Sequence, residues 1–293
     1  MSSILIPVPR EFSFELCLAF LKRSPQELLH RQDENSVTKM LRFGDEKVLF
    51  DLRSEGDHLS VDVLTGTPSA EITQAIKDYV IEWLDLQTDL SPFYRLAGKD
   101  DLLKGLVKKY YGYRIVGQPD LFESLVWAVL GQQINLSFAY KLKYRFVEQF
   151  GESQEFGGHL HYLFPAAQRV SLIKPDQLLA LQFSRQKASY TIGIAEAFAK
   201  GVMSKEKLNG LPLLQAREEL MKIRGIGNWT ANYGLMKTFR YPDAFPLEDA
   251  GLHNAIRIQL GLKAKPSLQR VKRIFKKYKG WEAYATLYLW KSL

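Results

Sequence analysis

The period of the apolar pattern changes once along this 293-residue chain, near residue 99, and that change constrains the fold more than any other feature. Before it come the short apolar runs ILIPV, VTKMLRF, KVLFDLR and LSVDVL, with GDE and SEGDH as turns between the last three. Such runs separated by turn residues predict an antiparallel sheet over residues 3–64. Phe12 to Leu21 fits a strand or a helix equally well. Thr67-Pro68-Ser69 is a helix start, and Ile72, Ile76, Val80 and Trp83 then recur at helical spacing. Residues 1–98 are therefore expected as an α+β domain, with a helix packed on a sheet.

Beyond residue 99 nearly every stretch reads helical. Asp120 can cap a helix through LFESLVWAVLGQQI, and a second helix follows a break near Asn135 and runs to about Phe150. Gly151 to His161 is polar and Gly-rich, and is expected as a loop. Further helices are expected over 175–181, 185–200 (capped by Ser184), 213–223, 228–239, 250–260, 268–278 and 281–290, with a Pro-containing loop from Tyr241 to Glu248. Residues 99–293 are thus expected as an all-α, or at least mostly α-helical, region of two subdomains flanking a cleft.

Charge divides along the same line. Residues 1–110 carry 14 Lys/Arg against 18 Asp/Glu, whereas residues 111–293 carry 26 against 14. The excess of positive charge in the second part fits either a solvated basic face or a polyanion partner such as nucleic acid. No apolar run approaches the roughly 18 residues needed to span a bilayer, and the N-terminus lacks a signal-peptide pattern. The single cysteine, Cys17, cannot form an internal disulfide or an all-cysteine metal site, which fits a reducing cytoplasmic location.

Within the helical part, Gly225-Ile226-Gly227 lies between two helical patterns. Glycines permit a tight turn and close backbone approach, Ile226 can anchor the turn, and the free N–H groups of the helix starting near Asn228 can bind a phosphate oxygen. An ordinary helix–helix turn would have the same local pattern. Lys222 and Arg224 flank the turn, and residues 261–280 hold eight Lys/Arg and no acid. These fit a DNA-binding face.

Glu248 and Asp249 follow about twenty residues later. Asp249 precedes a helical run and can be its N-cap; a carboxylate on a DNA-binding face could also stabilise positive charge on a sugar during N-glycosidic bond cleavage. The two roles are compatible. Trp229 and Tyr233 are four apart and share a helix face, while Tyr284, Leu287, Tyr288 and Trp290 lie on the last helix. They fit an ordinary core, or a stacking cage for a base extruded from the duplex. Such a cage would favour a cationic, alkylated base.

The segments LMKIRGIGNWTANYGL, DAFPLEDAGL, LFESLVWAVLGQQINLSFAYKL, SRQKA and GWEAYATLYLW together resemble the helix-hairpin-helix DNA glycosylase superfamily, over roughly residues 115–290. The likeness is closest to its bacterial 3-methyladenine DNA glycosylase II group, whose small α+β domain the N-terminal part also resembles. The resemblance implies Asp249 as the catalytic aspartate, and Trp229, Tyr233 and Trp290 as the base pocket. It implies Gly225, Ile226 and Gly227, with Arg224 beside them, as the DNA-binding hairpin, where many members hold a monovalent cation on backbone carbonyls. Gln133, next to Ile134, falls where the family places a wedge that fills the gap left by the flipped base; the bacterial group has an apolar residue there.

In the bifunctional glycosylase/lyases a nucleophilic lysine stands where this chain has Trp229. Without an amine at that position no Schiff base forms there. The absence of a C-terminal four-cysteine cluster points the same way. The expectation is a monomeric, monofunctional glycosylase of base excision repair that binds double-stranded DNA. It would remove 3-methyladenine, and 7-methylguanine with it, with no catalytic metal and no cofactor beyond that cation. The alternatives are a non-catalytic binder of distorted DNA and a glycosylase for another lesion such as hypoxanthine or uracil.

Overall fold

The computed structural model describes residues 3–293. Five strands, β1 (Ile4–Pro7), β2 (His30–Gln32), β3 (Ser36–Phe43), β4 (Glu46–Glu55) and β5 (His58–Val63), form one sheet in the order β1-β5-β4-β3-β2. Every neighbouring pair is antiparallel. Phe50, Leu52, Leu59 and Val61 are fully buried, so the central strands β4 and β5 anchor the core of this part.

The ambiguous stretch from Phe12 is a helix, α1 (Phe14–Leu21). Ser13 decides this: its Oγ accepts from Leu16 N and opens a helix that buries Phe14, Cys17, Leu18 and Leu21. The expected helix after Ser69 is α2 (Ala70–Trp83), with Ile76, Val80 and Trp83 inside and Ile72 at the edge of the core.

The chain then runs through α3 (Ser91–Ala97), α4 (Lys104–Lys109), α5 (Leu121–Gly131) and α6 (Leu136–Phe150). After α6 the expectation of a loop is wrong. Glu152–Phe156 and His159–Leu163 are strands β6 and β7 of an antiparallel hairpin, so the region after residue 99 is mostly but not wholly helical. Gly157 and Gly158 both have positive φ, 58° and 74°, the conformation of a two-residue hairpin turn that twists with its strands. Glu152 fixes this hairpin to the first sheet by pairing with Arg42 and, at 3.0 Å, with Lys47.

The remaining helices are α7 (Ala167–Val170), α8 (Pro175–Ala180), α9 (Arg185–Ala199), α10 (Lys205–Leu208), α11 (Leu213–Met221), α12 (Asn228–Gly234), α13 (Ala250–Gln259), α14 (Leu268–Phe275) and α15 (Glu282–Lys291). Helix α12 does not stay regular to Phe239: Leu235–Phe239 is a π-helical turn, ended by Arg240 in the left-handed conformation. None of the described helices is long and apolar enough to cross a membrane.

The last helix packs back on the chain that follows the sheet. Phe93 of α3 lies 5.6 Å from the ring of Tyr284 and 5.4 Å from that of Tyr288. Tyr284 donates to Asp85, and Tyr288 to the carbonyls of Tyr110 and Tyr113. Tyr284, Leu287 and Tyr288 are therefore core residues and no part of a cage. Of these four, only Trp290, the penultimate residue of α15, reaches the cleft.

Candidate active site

The Gly-x-Gly turn joins α11 to α12, and its two glycines serve different needs. Gly225 has φ 98°, and a Cβ there would lie 2.3 Å from a ring carbon of Tyr190. Both the backbone and the packing demand glycine. Gly227 has an extended backbone, and a Cβ there would meet no atom within 4 Å. The fold itself does not need glycine at that position, which leaves the turn open to close approach from outside. Ile226 is buried between them, as its apolar side chain suggests. No side chain caps the first N–H groups of α12. Arg224 is exposed beside the turn, while Lys222 is engaged by Glu219 at 2.6 Å.

Helix α12 carries the aromatic face inward. The rings of Trp229 and Tyr233 stack with centroids 5.4 Å apart, and Trp290 closes from α15 at 6.4 Å from Tyr233. Burial pushes the Tyr233 phenol up to about 12, so it stays protonated.

Asp249 sits where these elements converge. Its Oδ1 accepts from Leu252 N at 2.6 Å, so it caps α13, and from Trp290 Nε1 at 2.8 Å; its Oδ2 accepts from Trp229 Nε1 at 3.1 Å. Cap and site residue are one and the same. Three donors hold a half-buried carboxylate in one orientation. Gly251, the second residue of α13, leaves room for this: a Cβ there would lie 3.0 Å from Asp249 Oδ1 and 3.5 Å from Trp290 Nε1. The adjacent Glu248 has another task. Its two oxygens accept from Asn228 Nδ2 at 2.9 and 3.1 Å, which ties the 241–248 loop to the start of α12.

Gln133 stands exposed just past the end of α5 with φ 57°, and Ile134 beside it packs against the buried cluster that includes Trp127 and Tyr140. The turn that carries Gln133 is held from two sides. Gln132 Nε2 donates to Gly225 O at 3.2 Å and to Thr230 Oγ1 at 2.9 Å, linking it to the hairpin. Lys187 Nζ donates to the carbonyls of Val129, Leu130 and Gln132 at 2.9, 2.8 and 2.6 Å, so an ammonium caps the C-terminal end of α5. Burial pushes Lys187 down to about 8. Sequence reasoning picked out its SRQKA segment without seeing this role; a lysine facing inward on an amphipathic helix is the signal it left.

Three further residues of the cleft escaped the sequence reading. Trp127 Nε1 donates to the Tyr233 hydroxyl at 3.0 Å, and the Trp127 and Tyr140 rings lie 4.8 Å apart. Both looked like ordinary members of the apolar faces of α5 and α6. Arg23, from the α+β part just beyond α1, donates to the Tyr140 hydroxyl and lays its guanidinium 3.9 Å from the Phe20 ring centroid.

With this geometry in place, the relatives are informative. Residues 126–280 match the HhH-GPD superfamily base excision DNA repair protein family, and residues 5–125 match the N-terminal domain of 8-oxoguanine DNA glycosylase. The DNA-3-methyladenine glycosylase of Bacillus subtilis is 41% identical, across 99% of this chain and 97% of the relative. The 3-methyladenine DNA-glycosylase from Archaeoglobus fulgidus has the same fold, with TM-score 0.85 at 23% identity over 98% of this chain and 97% of that one. A Schizosaccharomyces pombe 3-methyladenine DNA glycosylase, solved in complex with abasic DNA, aligns at 26% identity and TM-score 0.58, covering 67% of this chain and 93% of its own. The antiparallel sheet, the helical region and the hairpin between α11 and α12 all agree with this match, and the chain belongs to the HhH-GPD superfamily of base excision DNA repair proteins.

Proposed function

We propose that this protein is a monofunctional DNA glycosylase that removes 3-methyladenine, and 7-methylguanine with it, from duplex DNA. The observation that carries the proposal is the Asp249 carboxylate, held by Trp229 and Trp290 as well as by the helix it caps. A cap alone needs no indole donors.

DNA enters along the basic face. The open backbone at Gly227 and the uncapped N–H groups of α12 take a phosphate, with Arg224 beside them. A monovalent cation on the hairpin carbonyls would add to that grip. Gln133 fills the vacated stack, and the extruded base lies against Trp229, Tyr233 and Trp290. Asp249 faces the sugar. As the C1′–N bond breaks, the electron pair leaves with the base and the sugar gains oxocarbenium character. The carboxylate stabilises that charge and orients a water, whose oxygen bonds C1′ while its proton passes to the carboxylate. An N3-alkylated adenine leaves as a neutral base and needs little protonation. With Trp229 at the position of the lyase lysine, no Schiff base forms there and the product is an abasic site.

Asp249→Asn tests the proposal. The amide still caps α13, so the fold should persist. Release of methylated bases should cease while binding to abasic DNA is kept; continued release would refute the assignment.

A further inference from the structure

The Gly-x-Gly turn and the turn that carries Gln133 lie far apart in the chain, and one side chain joins them. Gln132 Nε2 donates to Gly225 O at 3.2 Å and to Thr230 Oγ1 at 2.9 Å, across 93 and 98 residues. A carbonyl can only accept, so the nitrogen of the amide faces the hairpin, and both of its hydrogens are used there. Gln132 is half-buried and Thr230 is buried, so the link is largely withdrawn from water and is not readily exchanged for solvent.

Both ends of the link are stiff. Gly225 has φ 98° and the Tyr190 ring packed against it. On the other side Gln133 is a non-glycine residue at φ 57°, a conformation that persists only where its surroundings impose it. Two contacts impose it through Gln132: Lys187 Nζ holds the backbone carbonyl at 2.6 Å, and the hairpin holds the side chain. Thr230 directly follows Trp229, whose indole donates to Asp249, so the same amide also reaches the helix that positions the carboxylate.

We infer that Gln132 is a positioning residue that couples the phosphate grip of the hairpin to the insertion of Gln133 into the duplex. Its amide nitrogen is spent on protein, and what it supplies is geometry. With a phosphate held at Gly227, Gln133 stands at a fixed offset from the strand, so gripping the backbone and filling the stack become one event. A phosphate contact alone holds damaged and undamaged duplex equally well, because it reads no base. The link makes part of the grip available only when a base has left the stack. Without it each turn can still meet DNA, but the two are no longer held in register, and a misplacement of about 1 Å can cost on the order of a hundredfold in rate.

This inference rests on the glycosylase reading above, and the experiment separates the two. Single-turnover release of 3-methyladenine from methylated DNA, and affinity for an abasic and an undamaged duplex, are measured for the wild type and Gln132→Met. Release should slow by about tenfold or more, and the preference for abasic over undamaged duplex should shrink by about tenfold, while affinity for undamaged duplex changes by less than about threefold. Abasic affinity of Gly227→Ala, Gln133→Ala and the double variant completes a cycle. The two losses should overlap by at least about fivefold in the wild-type background and multiply to within about twofold in Gln132→Met. If the wild type releases no methylated base, the glycosylase reading fails and this inference with it. If the wild type releases base but the overlap persists in Gln132→Met, or both duplexes lose affinity together, only the role of Gln132 is refuted. Should Gln132→Met fold poorly by thermal melting, Thr230→Val decides: it keeps the side-chain shape and removes one acceptor, so the overlap must weaken there, and an undiminished overlap refutes the role.

Discussion

Trp290 Nε1 donates to Asp249 Oδ1 at 2.8 Å, joining the last helix of the chain to the N-terminal cap of α13 across 41 residues. The contact makes the C-terminal helix part of the site, and it predicts how the site fails. Trp290→Phe keeps the ring and removes the donor. A hydrogen bond to a charged group contributes about 1.5–3 kcal/mol, so base excision should slow by roughly ten- to a hundredfold with little change in melting temperature. Single-turnover kinetics beside a thermal melt would check this. An unchanged rate would mean that Asp249 is oriented by its other donors alone.

The two glycines of the hairpin should separate stability from DNA binding. Gly225→Ala forces a methyl into the Tyr190 ring at a left-handed backbone position, and should cost on the order of 1–3 kcal/mol of stability. Gly227→Ala meets no protein atom, so the fold should melt as the wild type does. Its affinity for abasic DNA should nonetheless fall. Melting curves and fluorescence-anisotropy titrations of both variants distinguish the roles; normal DNA affinity in Gly227→Ala would show that no ligand approaches the turn there.

Lys187 should matter to the wedge without touching DNA. Lys187→Met leaves three carbonyls at the end of α5 without their donor, at a cost of about 1–3 kcal/mol. Amide hydrogen exchange should quicken at residues 132–135, and excision should slow because Gln133 is no longer held. Unaltered exchange in that turn would rule the positioning role out.

Acid should loosen the attachment of the α+β part. Burial opposes charge on Glu27, but the Lys143 ammonium, 2.9 Å away, overcomes it with help from the Leu29 N–H and holds the carboxyl at about 2, below its ordinary 4.5. The unfolded chain binds the proton first. The stabilisation is therefore complete above about pH 4.5 and is lost as the pH falls toward 2. Melting temperature between pH 6 and 2 should fall more steeply for the wild type than for Glu27→Gln, which lacks this titration. Parallel curves would show that the pair contributes nothing.

Much of the site was legible because it is local. The spacing of Trp229 and Tyr233, the cap at Asp249 and the hairpin at Gly225–Gly227 all depend on residues within a turn or two of one another. The β6–β7 hairpin was not legible: Gly157-Gly158 marks its turn, but Glu152–Phe156, four polar residues before one apolar, lacks the alternation of a strand. On the last helix, spacing puts Tyr284, Leu287 and Tyr288 on one face at i, i+3 and i+4 and Trp290 off it, but does not say which face meets the cleft. Phe93, packed against Tyr284 and Tyr288, takes that face into the core, and Trp290 is left for Asp249.

The sequence by itself determined the switch from sheet to helices, the helix–turn–helix with its Gly-x-Gly turn, and the carboxylate that caps the next helix. Periodicity, turn chemistry and capping act over a few residues, so they are written in consecutive letters. Tertiary structure alone decided that Trp290 holds Asp249, that Lys187 caps a helix 57 residues earlier, and that Arg23 meets Tyr140 across 117 residues. Those contacts depend on how whole elements pack, and no local pattern encodes which side chains the packing brings face to face.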